Sequence, residues 1–174
     1  LLSAKELLWF AARHRLPAVV PSLTVEFLVD SVIDLLGLAE VKHSMVGGDK
    51  QRGVSGGQKK RINVGIELVT NPALLFLDEP TSGLDAKAAF GLVRCLRHVA
   101  QHGVAVVAVL HQPSWKACSG IDRLILLSDR GRTVYVGAMC EAKGFMEGLG
   151  FPFPADENPA DVLMDIVSDI AANA

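Results

Sequence analysis

The sequence predicts an α/β fold built on a parallel sheet, and three observations carry that expectation. Val104 to Leu110 is an uninterrupted apolar run rich in β-branched residues, the pattern of a strand covered on both faces. Leu74 to Leu77 is a second short apolar run, and it ends abruptly in two adjacent carboxylates, Asp78 and Glu79. Around these runs apolar residues recur at i, i+3 and i+4, so strands and helices alternate as they do in βαβ units.

Ser3 and Glu6 have the spacing of a capping box, and Leu7, Phe10, Ala11 and His14 follow at helical intervals until Pro17 stops the pattern. A lone histidine there is a packing or surface residue, and His14 is assigned no chemistry. After the stiff Pro17 to Pro21 connector, Val25, Leu28, Val29, Val32 and Leu36 form the stripe of a second helix, which Gly37 ends. Val41 to Arg52 reads as a polar, glycine-bearing loop whose Lys42, Lys50 and Arg52 form a solvated face. From Gln58 a third helix runs through Ile62, Ile66 and Val69, with Gly65 permitting close packing, until Asn71-Pro72 ends it. Its first turn holds Lys59, Lys60 and Arg61, where cations oppose the helix dipole and ask for a negatively charged neighbour.

The strand at Leu74 comes next, and Ala89, Leu92, Val93, Leu96 and Val99 then mark a fourth helix. Cys95, His98 and His102 on or near it are read as structural. Beyond the buried strand, Arg123 to Leu127 and Thr133 to Val136 flank Ser128-Asp129-Arg130-Gly131 as a hairpin at a sheet edge. A helix near Cys140 to Leu149 and an extended Phe151 to Pro154 follow. The chain closes on an amphipathic helix capped at Asn158-Pro159, with Leu163, Ile166, Val167 and Ile170 as its apolar stripe.

With 174 residues, 50% of them hydrophobic, the chain is long enough for one domain with a substantial core. A formal net charge of −2 gives no basic field, which argues against nucleic acid as a partner. Cys95, Cys118 and Cys140 are odd in number and form no CxxC pair, as expected of reduced thiols in a cytosolic compartment that pack as small apolar residues. Mean hydropathy is +0.34, yet the longest apolar run, Gly103 to Leu110, falls far short of the ~18 residues a membrane span needs. There is no initiator Met and no charged-then-apolar leader, so the first residue reads as an internal starting point.

Two stretches carry chemistry. Ser55-Gly56-Gly57-Gln58 opens a helix with backbone N–H groups free to face an anion, the Ser55 hydroxyl beside them. Asp78 stands at the end of a strand, where ligands bind in open α/β sheets, so it can hold a magnesium shell. Glu79, turned differently, can orient or deprotonate an attacking water. His111 ends the next buried strand at the same sheet edge, where its imidazole can contact a phosphate and keep water and base in register. Asp78 lies 23 residues after Ser55, and Asp85 seven beyond Asp78.

These blocks resemble those of ATP-binding cassette (ABC) proteins. Val54 to Gln58 is similar to their signature motif, Leu74 to Glu79 to the Walker B strand, and Ser82 to Asp85 to the D-loop. Arg52 to Arg61, Leu75 to Asp85, His111-Gln112-Pro113-Ser114 and Asn158 to Asp161 resemble the G subfamily of exporters, in which the ATPase domain precedes the membrane domain. The resemblance implies a P-loop NTPase ABC-type ATPase domain: an incomplete parallel sheet with a helical subdomain. Residues 1–58 would be that subdomain, ending in the signature motif, and residues 59–174 the catalytic core portion, its last helix leading toward a membrane domain.

The resemblance also implies site roles, with ATP and Mg2+ as cofactors. Two such domains face head to tail, so Ser55, Gly56, Gly57 and Gln58 would press onto ATP held by the opposing domain. Asp78 as metal ligand and Glu79 and His111 as catalytic residues would serve ATP held by their own, and Asp85 would cross the interface. The implied partners are a second ABC ATPase domain, as homo- or heterodimer, and the membrane domain of the same transporter, with no nucleic acid. The implied location is the cytoplasmic face of a membrane, and the implied function is ATP-powered export of lipids, sterols or xenobiotics.

The sequence departs from the family in three places. It contains no GxxxxGK[ST] and no convincing Gln-loop, so the chain alone is expected neither to bind nor to hydrolyse ATP, and to fold poorly with unpaired sheet edges. Ala117-Cys118-Ser119-Gly120 stands where the subfamily carries bulkier apolar residues. Two other readings stay open at this point: a soluble ABC ATPase that lacks a membrane domain, and a catalytically silent fragment that lends only its signature face.

Overall fold

A computed structural model describes residues 1–47, 53–111, 113–128, 130–154 and 157–172, with side chains described as far as 168. The chain divides into two compact units, Leu1–Leu110 and His111–Ala174, each closed around its own apolar core.

In the first unit α1 (Ala4–Arg15) starts at the expected capping box: Ser3 Oγ accepts from the Glu6 amide, and the Glu6 carboxylate accepts from the Ser3 amide at 2.8 Å. Those hydrogen bonds to the ionised form hold the Glu6 carboxyl below its ordinary range. α2 (Ser22–Leu35) buries Val25, Val29, Val32 and Ile33, and the chain turns away at Gly37, whose φ of 63° favours glycine. α3 (Gly56–Leu68) packs on both. Gly65 is the closest point, since a Cβ there would lie 2.9 Å from Leu8 Cδ2 and 3.0 Å from Leu36 Cδ1. Arg15 at the end of α1 pairs with Glu67 of α3, and its guanidinium lowers the Glu67 carboxyl.

β1 (Leu74–Asp78) and β2 (Ala105–Val109) pair in parallel, with Leu74 opposite Ala105 and Asp78 opposite Val109; α4 (Ala86–Gln101) connects them. The parallel pairing agrees with the expected βαβ unit. The burial of β2 does not: the apolar run reads as covered on both faces, but only one face is covered. Leu75, Leu77 and Val106 turn into the core, whereas Phe76 is 71% and Val109 59% exposed on the opposite face. The physical reason is that the described helices of this unit cover one side of a two-stranded sheet, so every second residue meets solvent.

In the second unit β3 (Arg123–Leu127) and β4 (Thr133–Ala138) form the expected antiparallel hairpin, with an irregularity at Leu126 and Leu127, but as a two-stranded sheet of their own and not, among the described residues, as the edge of a larger one. Asp129 of its turn lies outside the described residues. α5 (Trp115–Cys118), α6 (Ala142–Gly148) and α7 (Pro159–Ala172) complete the unit. Asn158 caps α7 as expected, its Oδ1 accepting from the Ala160 amide at 3.3 Å, and Leu163, Ile166 and Val167 are buried. The small residues of α5 explain its packing, because Ala117 and Cys118 are both buried and α5 lies against α7. Burial, with the Asp161 carboxylate nearby, pushes the Cys118 thiol up to about 11. Cys95 is also buried, whereas Cys140 is exposed, so two of the three thiols pack as expected. No described helix is long and apolar enough to cross a membrane.

Candidate nucleotide-facing site

Two helix starts lie side by side in the first unit. Ser55, in extended backbone conformation, is the N-cap of α3; its Oγ accepts from the Gln58 amide at 3.3 Å, and Gln58 Oε1 accepts from the Ser55 amide at 2.7 Å. This is a second capping box, of the S-x-x-Q form. Gln58, expected to meet a nucleotide, therefore spends its carbonyl oxygen within the chain. The Ser55 oxygen accepts in that bond, which leaves its hydroxyl proton to be donated outward. Gly56 and Gly57 follow with the unpaired N–H groups of a first helical turn.

Asp85 caps α4 in the same way, its Oδ1 accepting from the Ala88 amide at 2.8 Å. The two starts touch: a Cβ on Gly57 would lie 3.3 Å from Ala88 Cβ, and one on Gly56 3.6 Å from Leu84 Cδ2. The close approach leaves a side chain at position 57 little room, since Ala88 would have to give way by a few tenths of an ångström. The structure thus brings the signature-like residues and Asp85 together on one surface, all of them exposed or half-buried.

Asp78 and Glu79 are both exposed at the end of β1. Glu79 has a φ of 42°, a left-handed conformation that costs a side-chain-bearing residue about 1–2 kcal/mol. It is held there from both sides: its amide donates to the Val109 carbonyl at 3.0 Å, and its carbonyl accepts from the Ser82 amide at 3.0 Å. This turns Glu79 out of the alternation of β1, so the two adjacent carboxylates do not follow the strand's two-faced pattern. No cluster of three or more metal-ligating side chains occurs among the described residues. The exposed Asp78 carboxylate at the strand end is an oxygen donor of the kind Mg2+ takes, one or two carboxylates with water and phosphate oxygens completing its shell. His111, two residues past Val109, is exposed and opens the second unit. Lys50, Arg52 and Gln112 lie outside the described residues.

The basic run at the start of α3 divides. Lys59 is exposed, but Arg61 turns inward, its Nη1 donating to the Leu36 carbonyl at 3.3 Å. Leu36 is the C-cap of α2, so the negative neighbour that Arg61 needs is the carbonyl end of a helix. Sequence reasoning missed this, and missed Gly91, where a Cβ would lie 3.0 Å from Arg61 Nη2. The one available signal was a glycine in the interior of an otherwise good helix.

Comparison with known proteins converges on one group. A family pattern described as "ABC transporter" matches residues 10–82, and one described as "ABC-2 type transporter" matches residues 111–174. The chain is 42% identical over 170 residues to ABC transporter G family member 5 of Oryza sativa, with 98% of this chain and 22% of that protein covered. It is 45% identical over 169 residues to ABC transporter G family member 28 of Arabidopsis thaliana, with 97% and 15% covered. It thus spans less than a quarter of the length of those relatives. Among solved structures it is similar to an ATP-binding cassette of an ABC transporter, with a TM-score of 0.62 at 17% identity, 86% of this chain and 62% of that one being covered. That likeness shows the cassette fold.

Proposed function

Given that this chain belongs to the ABC transporter family and matches its G members along nearly its whole length, we propose that it supplies one half of each of two ATP-hydrolysing sites in an exporter. The observation that carries the reading is the contact of the two capped helix starts at Gly57 and Ala88. It presents Ser55, Gly56, Gly57, Gln58 and Asp85 as one surface, the arrangement a head-to-tail second cassette needs.

In this reading the first-turn N–H groups of α3 and the Ser55 hydroxyl donate to phosphate oxygens of ATP bound by the opposing cassette. Gln58 holds Ser55 in place through the capping box, and Asp85 lies at the interface. Asp78 holds Mg2+, which supplies charge neutralisation for the phosphates when bound. Glu79 orients the attacking water and takes its proton, and its displacement from the strand's alternation lets it act apart from Asp78. His111 keeps the water in register. The chain's own residues include no phosphate cradle of the GxxxxGK[ST] kind, so turnover belongs to the longer protein.

Residues 1–58 act as the helical subdomain and residues 59–174 as the catalytic core portion, with α7 leading toward the membrane domain. The match of residues 111–174 to an ABC-2 type transporter favours this over a soluble ATPase. The chain then lies at the cytoplasmic face of a membrane, pairs with a second cassette as homo- or heterodimer, and powers export of lipids, sterols or xenobiotics. The test is ATP hydrolysis by the full-length protein. Glu79→Gln should lower turnover about a hundredfold or more while nucleotide still binds. Unchanged turnover in that variant would remove Glu79 from the mechanism.

A further inference from the structure

α3 and α4 pack along a shared seam, and two of its close approaches lie at glycines, the second of them built around Arg61. The first is Gly57 against Ala88; the second, about one turn further along both helices, is Arg61 Nη2 against Gly91. Close approaches spaced along a pair of helices together set their relative angle. The guanidinium is enclosed on its other sides as well. Nη1 donates to the Leu36 carbonyl at 3.3 Å, a Cβ on Gly37 would lie 3.6 Å from the same nitrogen, and Cys95 Sγ lies 3.8 Å from the same carbonyl. Leu36 is 1% exposed, so its carbonyl has little recourse to water if the guanidinium leaves. Gly91 costs α4 roughly 1 kcal/mol relative to alanine, and the space taken by Arg61 accounts for its presence.

We infer that Arg61 is a positioning residue: it locks α3 to α4 so that Ser55 and Asp85 present one rigid surface to the opposing nucleotide. The inference rests on the proposed function. In this reading Arg61 acts through the α3–α4 seam and is given no contact with nucleotide or reacting atoms. Without it, α3 tilts, and only a fraction of molecules has the two helix starts aligned. ATP must then select that fraction, which weakens its apparent affinity in proportion. Saturating ATP recovers the aligned form, so turnover at saturation is retained. A purely structural role predicts the opposite, a loss of active protein that lowers kcat and leaves KM unchanged.

The experiment measures KM and kcat for ATP in the full-length protein carrying Arg61→Ala, Arg61→Lys, Gly91→Ala, or Arg61→Ala with Gly91→Ala. Gly91→Ala probes the same seam with every charge kept, because its new methyl obliges the tip of the guanidinium to give way by a few tenths of an ångström. Arg61→Ala should raise KM about fivefold, with kcat within about twofold of wild type; Gly91→Ala should raise KM by less, and the double variant should be no worse than Arg61→Ala alone. Arg61→Lys should lie between, since an ammonium can reach the Leu36 carbonyl but cannot fill the enclosure. A fall in kcat at unchanged KM, a wild-type KM in Arg61→Ala, or additive effects would each overturn the inference while leaving the ATPase reading intact. Wild-type protein without Glu79-dependent hydrolysis would overturn both.

Discussion

Replacing Gly65 by alanine tests how tightly the three-helix core is closed. Two opposing quantities set the outcome. Alanine is favoured over glycine in a helix interior by about 1 kcal/mol. Against this, the new Cβ would lie 2.9 Å from Leu8 Cδ2, 3.0 Å from Leu36 Cδ1 and 3.4 Å from Val32 Cγ1. Leu8 is 0% and Leu36 1% exposed, so neither methyl can swing into solvent and the helices must separate. Overpacking of this kind costs about 1–3 kcal/mol, which leaves a net destabilisation of about 1 kcal/mol. Gly144 in α6 is the control, because its Cβ would meet nothing within 4 Å and the same substitution there should stabilise by about 0.5–1 kcal/mol. Pulse proteolysis across a urea series, with fragments resolved for the two units, reads both changes in the full-length protein. If Gly65→Ala stabilises its unit as Gly144→Ala does, the close approach of α1, α2 and α3 is wrong.

Two further outcomes follow from the caps and the thiols. Ser55→Asp keeps an equally good N-cap, so stability should stay within about 0.5 kcal/mol of wild type; the added charge faces the proposed nucleotide, so ATP hydrolysis should fall at least about tenfold. Intact hydrolysis would separate Ser55 from the nucleotide. At pH 8 iodoacetamide should label exposed Cys140 well before buried Cys95 and Cys118, the latter being pushed up to about 11 and hence only about one part in a thousand thiolate. As pH rises from the ordinary thiol value of about 8.5 toward 11, the unfolded chain ionises at Cys118 and the folded chain does not, so stability should fall across that window. Equal labelling of Cys118 and Cys140, read by mass spectrometry, would contradict the packing of α5 on α7.

Local signals in the sequence were sufficient for most elements, because caps and breakers act over three or four residues. Ser3 with Glu6, Gly37, Asn71-Pro72 and Asn158-Pro159 each mark a boundary that the structure shows. Gly65 was legible as a packing glycine for the same reason. The cap at Ser55 and Gln58 has the spacing already recognised at Ser3 and Glu6, but the interest of those residues for phosphate hid their structural role. Burial of β2 was not legible, since an all-apolar strand says what it can tolerate on each face and not which layers are there. Arg61 escaped for a related reason: its partner is a backbone carbonyl 25 residues away, and no side-chain pattern announces a carbonyl.

The two neighbouring helix starts are electrically unlike. α4 carries its own carboxylate on the Ala88 amide, whereas α3 is closed by the neutral Ser55 and Gln58 and has no acid in its first turn. With Lys59 and Lys60 beside the α3 start, and Lys87 set against Asp85 at the α4 start, positive charge is concentrated at the α3 end. A polyanion arriving at this surface would meet a gradient, drawn more strongly to the α3 lip than to the α4 lip. In the proposed reading the surface consequently has a handed polarity, which would favour the phosphate end of a nucleotide at the α3 lip before any contact specific to a base or sugar is made.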